Sequence, residues 1–148
     1  WRGDLGPSGQ RLRASAGEGG VLLSWSGADG SLRRSAVARL PRAREVELLG
    51  LDAQERAWLL VAATPRSVTT GASTALAQVD RAGRLLERAT RPDLPPPADV
   101  AAPGLHSGDA RWAVEPGTGA LALAAPSGDG VALRLYLPGL GADLVRAP

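Results

Sequence analysis

Two short stretches of this sequence each place an Asp-Gly pair between segments in which apolar and polar residues alternate. They are SGADGSLRR at 26–34 and PSGDGVALR at 126–134. An Asp-Gly pair in this setting is a strong β-hairpin signal, because Gly accepts the positive φ that a tight turn needs. We therefore expect both stretches to be hairpin turns, with Gly30 and Gly130 in the left-handed conformation.

Alternation at a period of two residues recurs along much of the chain, as expected for half-buried strands. It is clear at 21–26 and clearest at 131–137, where Val and Leu alternate with Ala, Arg and Tyr. These features predict an all-β fold: an antiparallel meander of about nine strands, forming a sandwich or barrel, in a single domain over residues 21–148. Residues 1–20 hold six Gly and no sustained apolar pattern, so we expect an irregular N-terminal segment.

The middle of the chain fits two kinds of secondary structure. Residues 53–63 and 74–90 match amphipathic helices, the first opened by Asp52 as N-cap with Glu55 reaching back, which would give an α+β fold. As strands, the first segment is buried on both faces and the second is a hairpin that turns at Gly83. Periodicity alone does not separate the two for short apolar runs. The spacing of the turns favours strands.

The turn glycines Gly30, Gly83 and Gly130 are 53 and then 47 residues apart. Each lies between two alternating segments, and a Pro follows it within 8 to 11 residues. A degenerate unit of about 50 residues built of hairpins resembles the blade repeat of β-propellers. The resemblance implies a propeller-like array. Since propellers have about four blades or more, three such units imply part of a larger ring, half of a homodimeric one, or a sheet that closes in some other way.

The charge balance argues against a nucleic-acid partner. The chain has 17 basic residues, all of them Arg, against 15 acidic ones, and its net charge is +2. Only residues 33–44 are locally basic, with five Arg and no acidic residue. This stretch lacks the interleaved aromatic side chains that stack on bases, so we expect a solvated strand and turn. The absence of Lys, Ile, Asn, Phe and Met, whose codons are mostly AT-rich, indicates a high-GC genome.

Residue types that carry metal or redox chemistry are scarce. There is no Cys, and His106 is the single histidine, so a zinc site would depend almost wholly on carboxylates. Both Asp-Gly stretches lack the alternating oxygen ligands and the closing Glu of a calcium loop. We therefore expect no metal and no cofactor.

Two further stretches are informative through their composition. The longest apolar run, 57–63, is far shorter than the ~20 residues that a membrane-spanning helix needs, so we expect no membrane span. Residues 91–104 carry five Pro, and we expect an extended polyproline II connection there.

These features together predict a non-catalytic binding or structural module. We expect a subunit of a larger bacterial assembly at or outside the cell envelope, extracytoplasmic or periplasmic, with other protein subunits or a second copy as partners. The candidate contact residues are those that alternation turns outward and whose types are enriched at interfaces: Arg33, Arg39, Arg134 and Tyr136. The alternative is a fragment of a carbohydrate-active or other hydrolytic enzyme, which would use the loop carboxylates Asp93, Asp99 and Asp109.

Overall fold

A computed structural model describes residues 4–5, 9–40, 42–62, 74–90 and 111–137. All regular structure within these ranges is β-strand, and no helix occurs there. Ten strands have four to seven residues, and one has two. In chain order they are β1 (Asp4–Leu5), β2 (Arg11–Gly17), β3 (Gly20–Ser26), β4 (Leu32–Ala38), β5 (Glu45–Leu51), β6 (Ala57–Ala62), β7 (Thr74–Val79), β8 (Leu85–Thr90), β9 (Arg111–Val114), β10 (Leu121–Ser127) and β11 (Gly130–Tyr136).

The strands form three consecutive antiparallel sheets, each a meander in which neighbours along the chain are neighbours in the sheet. Sheet 1 contains β1–β4, sheet 2 contains β5–β8, and sheet 3 contains β9–β11. The all-β, antiparallel prediction is therefore confirmed, although the number of strands exceeds the expected nine. Closure of the sheets into a barrel or ring is not observed among the described residues.

Sheet 2 lies between the other two sheets and is covered on both faces. Every residue of β6 and β7 is buried, as the sequence predicted for the apolar run in β6. Leu59 belongs to the core cluster shared with sheet 1, whereas its neighbour Leu60 belongs to the cluster shared with sheet 3. Alternate side chains of a strand point to opposite faces, so one apolar strand supplies both cores.

The helical alternative at 53–63 and 74–90 is wrong wherever these residues are described. Ala57–Ala62 pairs with β5 on one side and with β7 on the other. Residues 75–79 pair with β8 around Gly83, the predicted hairpin. Both segments bury apolar side chains on two faces, and a pleated strand between two sheets satisfies this pattern without leaving backbone groups unpaired.

Three hairpins share one turn geometry, at 27–31, 52–56 and 80–84. In each, the first residue donates its N–H to the carbonyl of the fifth, and the fourth donates to the carbonyl of the first. The fourth residue is left-handed in all three: Gly30 has φ 79°, Glu55 60° and Gly83 82°. A type I turn followed by one left-handed residue is a common hairpin connection. The prediction for Gly30 is thus confirmed.

The prediction for Gly130 is wrong. Ser127 pairs with Gly130, so the turn consists of Gly128 and Asp129, and Gly128 has the positive φ of 62°. A two-residue loop with a left-handed Gly at its first position is typical of a type II′ turn. The turn before Gly130 connects the second and third described strands of sheet 3. The turns that contain Gly30 and Gly83 instead connect the third and fourth strands of their sheets. The proposed alignment of the three glycines therefore does not extend to Gly130.

Sequence reasoning missed the strands before residue 20. Strands β1 and β2 lie within 1–20, and β2 pairs with β3 over its whole length. The apolar signal of β2, a single Leu12 flanked by Arg, is too short and lies among too many Ser and Gly residues to indicate a strand from the sequence.

The Pro-rich stretch 91–104 lies outside the described residues. No helix within the described ranges is long and apolar enough to cross a membrane.

Candidate interaction surface

The two terminal sheets each have one face toward sheet 2 and one face away from it. The outer face of sheet 3 follows from its register, because directly paired residues lie on the same face. Leu121 pairs with Tyr136 on the side of sheet 2, so the alternate residues of β9, β10 and β11 face outward. This outer face consists of Arg111, Ala113, Ala122, Ala124, Pro126, Val131, Leu133 and Leu135.

The outer face of sheet 3 is apolar apart from one arginine. Val131 is 62% exposed and Leu133 48% exposed. They lie opposite Pro126 and Ala124 on the neighbouring strand, so the exposed apolar surface is continuous across the sheet. Contiguous apolar patches of this kind on a folded protein mark interaction sites.

The outer face of sheet 1 has a different chemistry. Its rows place Arg13 beside Ser24 and Ser35, and Arg11 beside Ser26. The exposed apolar pair Leu22 and Val37 lies in the next row, alongside Ser15. Leu32 is 65% exposed and lies opposite Ser26. One end of the three-sheet stack is therefore apolar apart from one arginine, and the other is mixed, with arginines, serines and three exposed apolar side chains.

The structure does not bring the four predicted contact residues together. Arg33 and Arg39 are exposed on and after β4 of sheet 1, and Arg33 forms an ion pair with Asp29 at 3.5 Å. Arg134 is half-buried in sheet 3, with sheet 2 lying between it and the first two. Tyr136 is 1% exposed, so the prediction that it faces outward is wrong.

The alternation in β11 was recognised correctly, but its two faces were assigned the wrong way round. Tyr136 belongs to the core cluster that includes Trp58 and Leu60, whereas Val131 and Leu133 face solvent. Strand β11 carries apolar residues at every odd position and one Tyr on the other face. Its sequence alone does not indicate which of the two faces is buried. The packing partner in sheet 2 decides it.

Arg34 is the clearest side chain whose position sequence reasoning missed. The register of β3 and β4 shifts so that Arg33 is an extra, bulged residue, and Arg34 turns toward sheet 2 with Ala36 and Ala38. Its guanidinium carbon lies 4.0 Å from the ring centre of Trp25. A contact at this distance is a cation–π interaction. The available signal was that Arg34 interrupts the apolar alternation of β4, as a bulge does.

A buried polar cluster fixes sheet 3 on sheet 2. The carboxylate of Asp52 is fully buried and forms an ion pair with Arg56 at 2.5 Å. Its Oδ1 accepts hydrogen bonds from the backbone N–H groups of Gln54 and Arg56, both at 2.9 Å. Arg56 Nη2 also donates to the carbonyl of Thr118 at 3.3 Å. The carboxylate is saturated by structural hydrogen bonds, so this cluster holds two sheets together and is not arranged as a catalytic base.

Two exposed turn carboxylates are the groups with shifted pKa values. Hydrogen bonds from the hydroxyl and the backbone N–H of Ser31 lower the pKa of Asp29. The hydroxyl and N–H of Thr118, with the N–H of Gly117, lower the pKa of Glu115. Hydrogen bonds to the charged form favour that form, which accounts for both directions. These are turn-stabilising interactions rather than catalytic ones.

Metal-ligating and catalytic candidates do not converge in the described part of the chain. No group of three or more His, Asp or Glu side chains is placed to hold a metal ion among those residues. The predicted loop carboxylates Asp93, Asp99 and Asp109, and also His106, lie outside the described residues. The hydrolytic alternative therefore stays a prediction.

The chain was compared with protein-family models and with curated proteins. No protein-family model matches it. No curated protein matches it either.

Proposed function

We propose that this chain is a non-catalytic assembly module whose three sheets act as consecutive blades of a propeller-like array. The outer face of sheet 3 is its docking surface, and the occupant is a β-sheet of a partner subunit that presents an apolar face. The observation that carries the proposal is the exposure of Val131 and Leu133 on a face that is otherwise Ala, Pro and Leu with one Arg. Sheet 2 supports it, because both of its apolar faces are covered by neighbouring sheets.

The arrangement of the first strands supports the comparison with propeller blades. Strand β5 contacts β9 on one side, and on the other it contacts β2 and, less extensively, the two-residue strand β1. The first strands of the sheets therefore lie near one another at one edge of the stack. In a propeller, each blade is a four-stranded meander that packs face to face on the next around a common axis. The stack of meanders in this chain has the same order. A further sheet on the outer face of sheet 3 would continue it.

The area of the docking surface is too small to hold a separate protein by itself. Three strands about 4.8 Å apart, with about six residues rising ~3.3 Å each, present a face of about 300 Å². A stable complex between separate proteins buries about 800 Å² on each partner. The partner must therefore contact a second surface as well.

In a ring, that second surface is the outer face of sheet 1, where Arg11 and Arg13 would select an acidic or hydroxyl-bearing surface. The partner then presents an apolar face at one end and an acidic face at the other. The placement of this assembly at or outside a bacterial cell envelope stays a prediction from the sequence.

The test uses the purified chain and two double variants. Without its partner, the wild-type chain should self-associate weakly and in a concentration-dependent manner through the apolar face, as measured by sedimentation velocity. The V131S/L133S variant should be monomeric at the same concentrations, with a melting temperature within a few degrees of wild type. The matched control is L85S/L86S, which removes two exposed leucines from the edge strand β8 and should leave association unchanged.

Two outcomes would refute the docking surface. One is a wild-type chain that is monomeric at every concentration. The other is association that survives V131S/L133S and disappears in L85S/L86S.

A further inference from the structure

At the end of β5 opposite the Asp52 turn, the chain forms a pocket that the assembly proposal does not use. Residues of the turn between β2 and β3 and residues 42–44 before β5 line a half-open hollow of about 560 Å³. Its lining residues are Ala16, Gly17, Glu18, Arg42, Ala43 and Arg44. A volume of this size is typical of sites for small molecules.

The pocket has two arginines that are not engaged elsewhere. The side chains of Arg42 and Arg44 are exposed, and neither has a hydrogen-bond or ion-pair partner among the described residues. By contrast, Arg33, Arg56 and Arg84 each form an ion pair with the aspartate four residues away. Two unengaged guanidinium groups against one carboxylate, that of Glu18, leave the pocket with a net positive charge.

The backbone at this pocket places an arginine at a position that usually holds glycine. Arg42 has φ 76°, and it is one of two non-Gly residues with positive φ in the described part of the chain. The N–H of Ala43 donates to the carbonyl of Leu40 at 3.1 Å, so Arg42 is the third residue of a hydrogen-bonded turn. A positive φ at the third position is typical of a type II turn, where Gly or Asn is the usual residue. The turn explains the conformation of Arg42 but does not require its side chain.

We propose that this pocket binds a small molecule that carries an oxyanion group, a phosphate or a carboxylate, held by Arg42 and Arg44. The planar guanidinium group presents paired N–H donors that match the oxygens of either anion. Glu18, on the opposite turn, repels a second negative charge and accepts hydrogen bonds. The ligand therefore carries a hydroxyl or amine group on the side of Glu18. The inference is independent of the docking surface on sheet 3.

The site also accounts for part of the basic stretch at 33–44. Arg33 and Arg34 lie at the far end of β4, at the turn shared with β3. Only Arg42 and Arg44 of the five arginines line the pocket. The stretch is thus divided by the fold into a strand with structural contacts and a short connection with a binding role.

The test is isothermal titration calorimetry on the full chain at low salt, with phosphoethanolamine and with β-alanine as probes. The two probes distinguish a phosphate site from a carboxylate site, and binding of either one supports the proposal. R42G and R44Q should each weaken binding about tenfold or more, as expected for loss of a charge-assisted hydrogen bond. E18Q should also weaken binding, because it removes the charge that faces the amine of either probe. R88Q, which changes an exposed arginine of β8, is the control and should have no effect.

R42G separates binding from folding. Gly adopts a φ of 76° without strain, so this variant should keep or raise the melting temperature while it loses anion binding. Absence of heat with both probes would refute the proposal. So would binding that R42G and R44Q leave unchanged.

Discussion

The indole Nε1 of Trp58 donates a 2.7 Å hydrogen bond to the carbonyl oxygen of Gly119. Trp58 lies in β6 of sheet 2, and Gly119 ends the turn between β9 and β10 of sheet 3. Both residues are buried. A buried hydrogen bond between two sheets fixes their relative position, because neither group has water as an alternative partner once the sheets are packed.

Trp58→Phe should destabilise the fold more than Trp25→Phe. The two tryptophans are equally buried, but Trp25 Nε1 has no hydrogen-bond partner among the described residues. Both changes remove similar volume from a core, whereas only the first leaves the Gly119 carbonyl without its donor. The expected difference in the free energy of unfolding is about 1–3 kcal/mol. Urea denaturation of the two variants measures it, and equal losses would contradict the role of this bond.

Gly119→Ala should destabilise the fold more than Gly30→Ala. Both glycines are left-handed, with φ 74° and 79°. A Cβ at Gly119 would lie 2.7 Å from Asp52 Oδ2, whereas a Cβ at Gly30 would meet no atom within 4 Å. Gly30→Ala should cost about 1 kcal/mol from backbone strain alone, and Gly119→Ala should cost clearly more. Thermal unfolding of both variants gives the comparison. Similar melting temperatures would mean that Asp52 moves away freely.

Asp52→Asn should lower the free energy of unfolding more than Asp80→Asn does. Both carboxylates accept two backbone N–H groups at 2.9 Å from the same positions of the same type of turn. The Asp52 side chain is 0% exposed, however, while Asp80 is 22% exposed and its partner Arg84 is 80% exposed.

Breaking a buried ion pair leaves an uncompensated charge, which costs about 3–5 kcal/mol at most, whereas an exposed pair contributes about 0–1 kcal/mol. Since Arg56 keeps some access to solvent, we expect Asp52→Asn to lower the free energy of unfolding by an amount near the lower end of the range for buried pairs. Chemical denaturation of both variants at neutral pH and at two salt concentrations tests this. A larger loss for Asp80→Asn would contradict it.

Stability should fall at acid pH in part through Asp29 and Glu115. Their pKa values are lowered in the folded chain, by Ser31 and Thr118 first of all. A carboxyl group whose pKa is lowered by folding stabilises the folded state. This stabilisation is complete above the ordinary pKa range of carboxyl groups and is lost as pH falls through the lowered pKa. Urea midpoints should therefore decrease below about pH 4.

Glu115→Gln should flatten that part of the profile, because the amide does not titrate. A profile that is the same in the wild type and in Glu115→Gln would contradict the assignment.

Strands were predictable from the sequence where a few consecutive residues carried a clear alternation, an apolar run or a turn signal. Alternation in β3, the apolar run of β6 and the hairpin at Gly83 depend on properties of a few consecutive residues, and the structure confirms each of them. Strand β2 was missed because its side chains are mostly Arg, Ser, Ala and Gly, and its pairing with β3 outweighs weak local preference. The pocket was also missed, since it joins residues 16–18 to residues 42–44 only after two sheets have packed.

The sequence by itself determined that this chain makes antiparallel strands joined by tight turns, because a period of two and turn-forming glycines act over a few residues. Tertiary structure decided which face of each strand is buried. In a strand, a shift of one residue exchanges the two faces. One bulge at Arg33 turned Arg34 inward onto Trp25, and packing against sheet 2 turned Tyr136 inward and Val131 outward. The exposed apolar face of sheet 3 and the two unengaged pocket arginines therefore depend on how the sheets stack, which no short stretch of this sequence specifies.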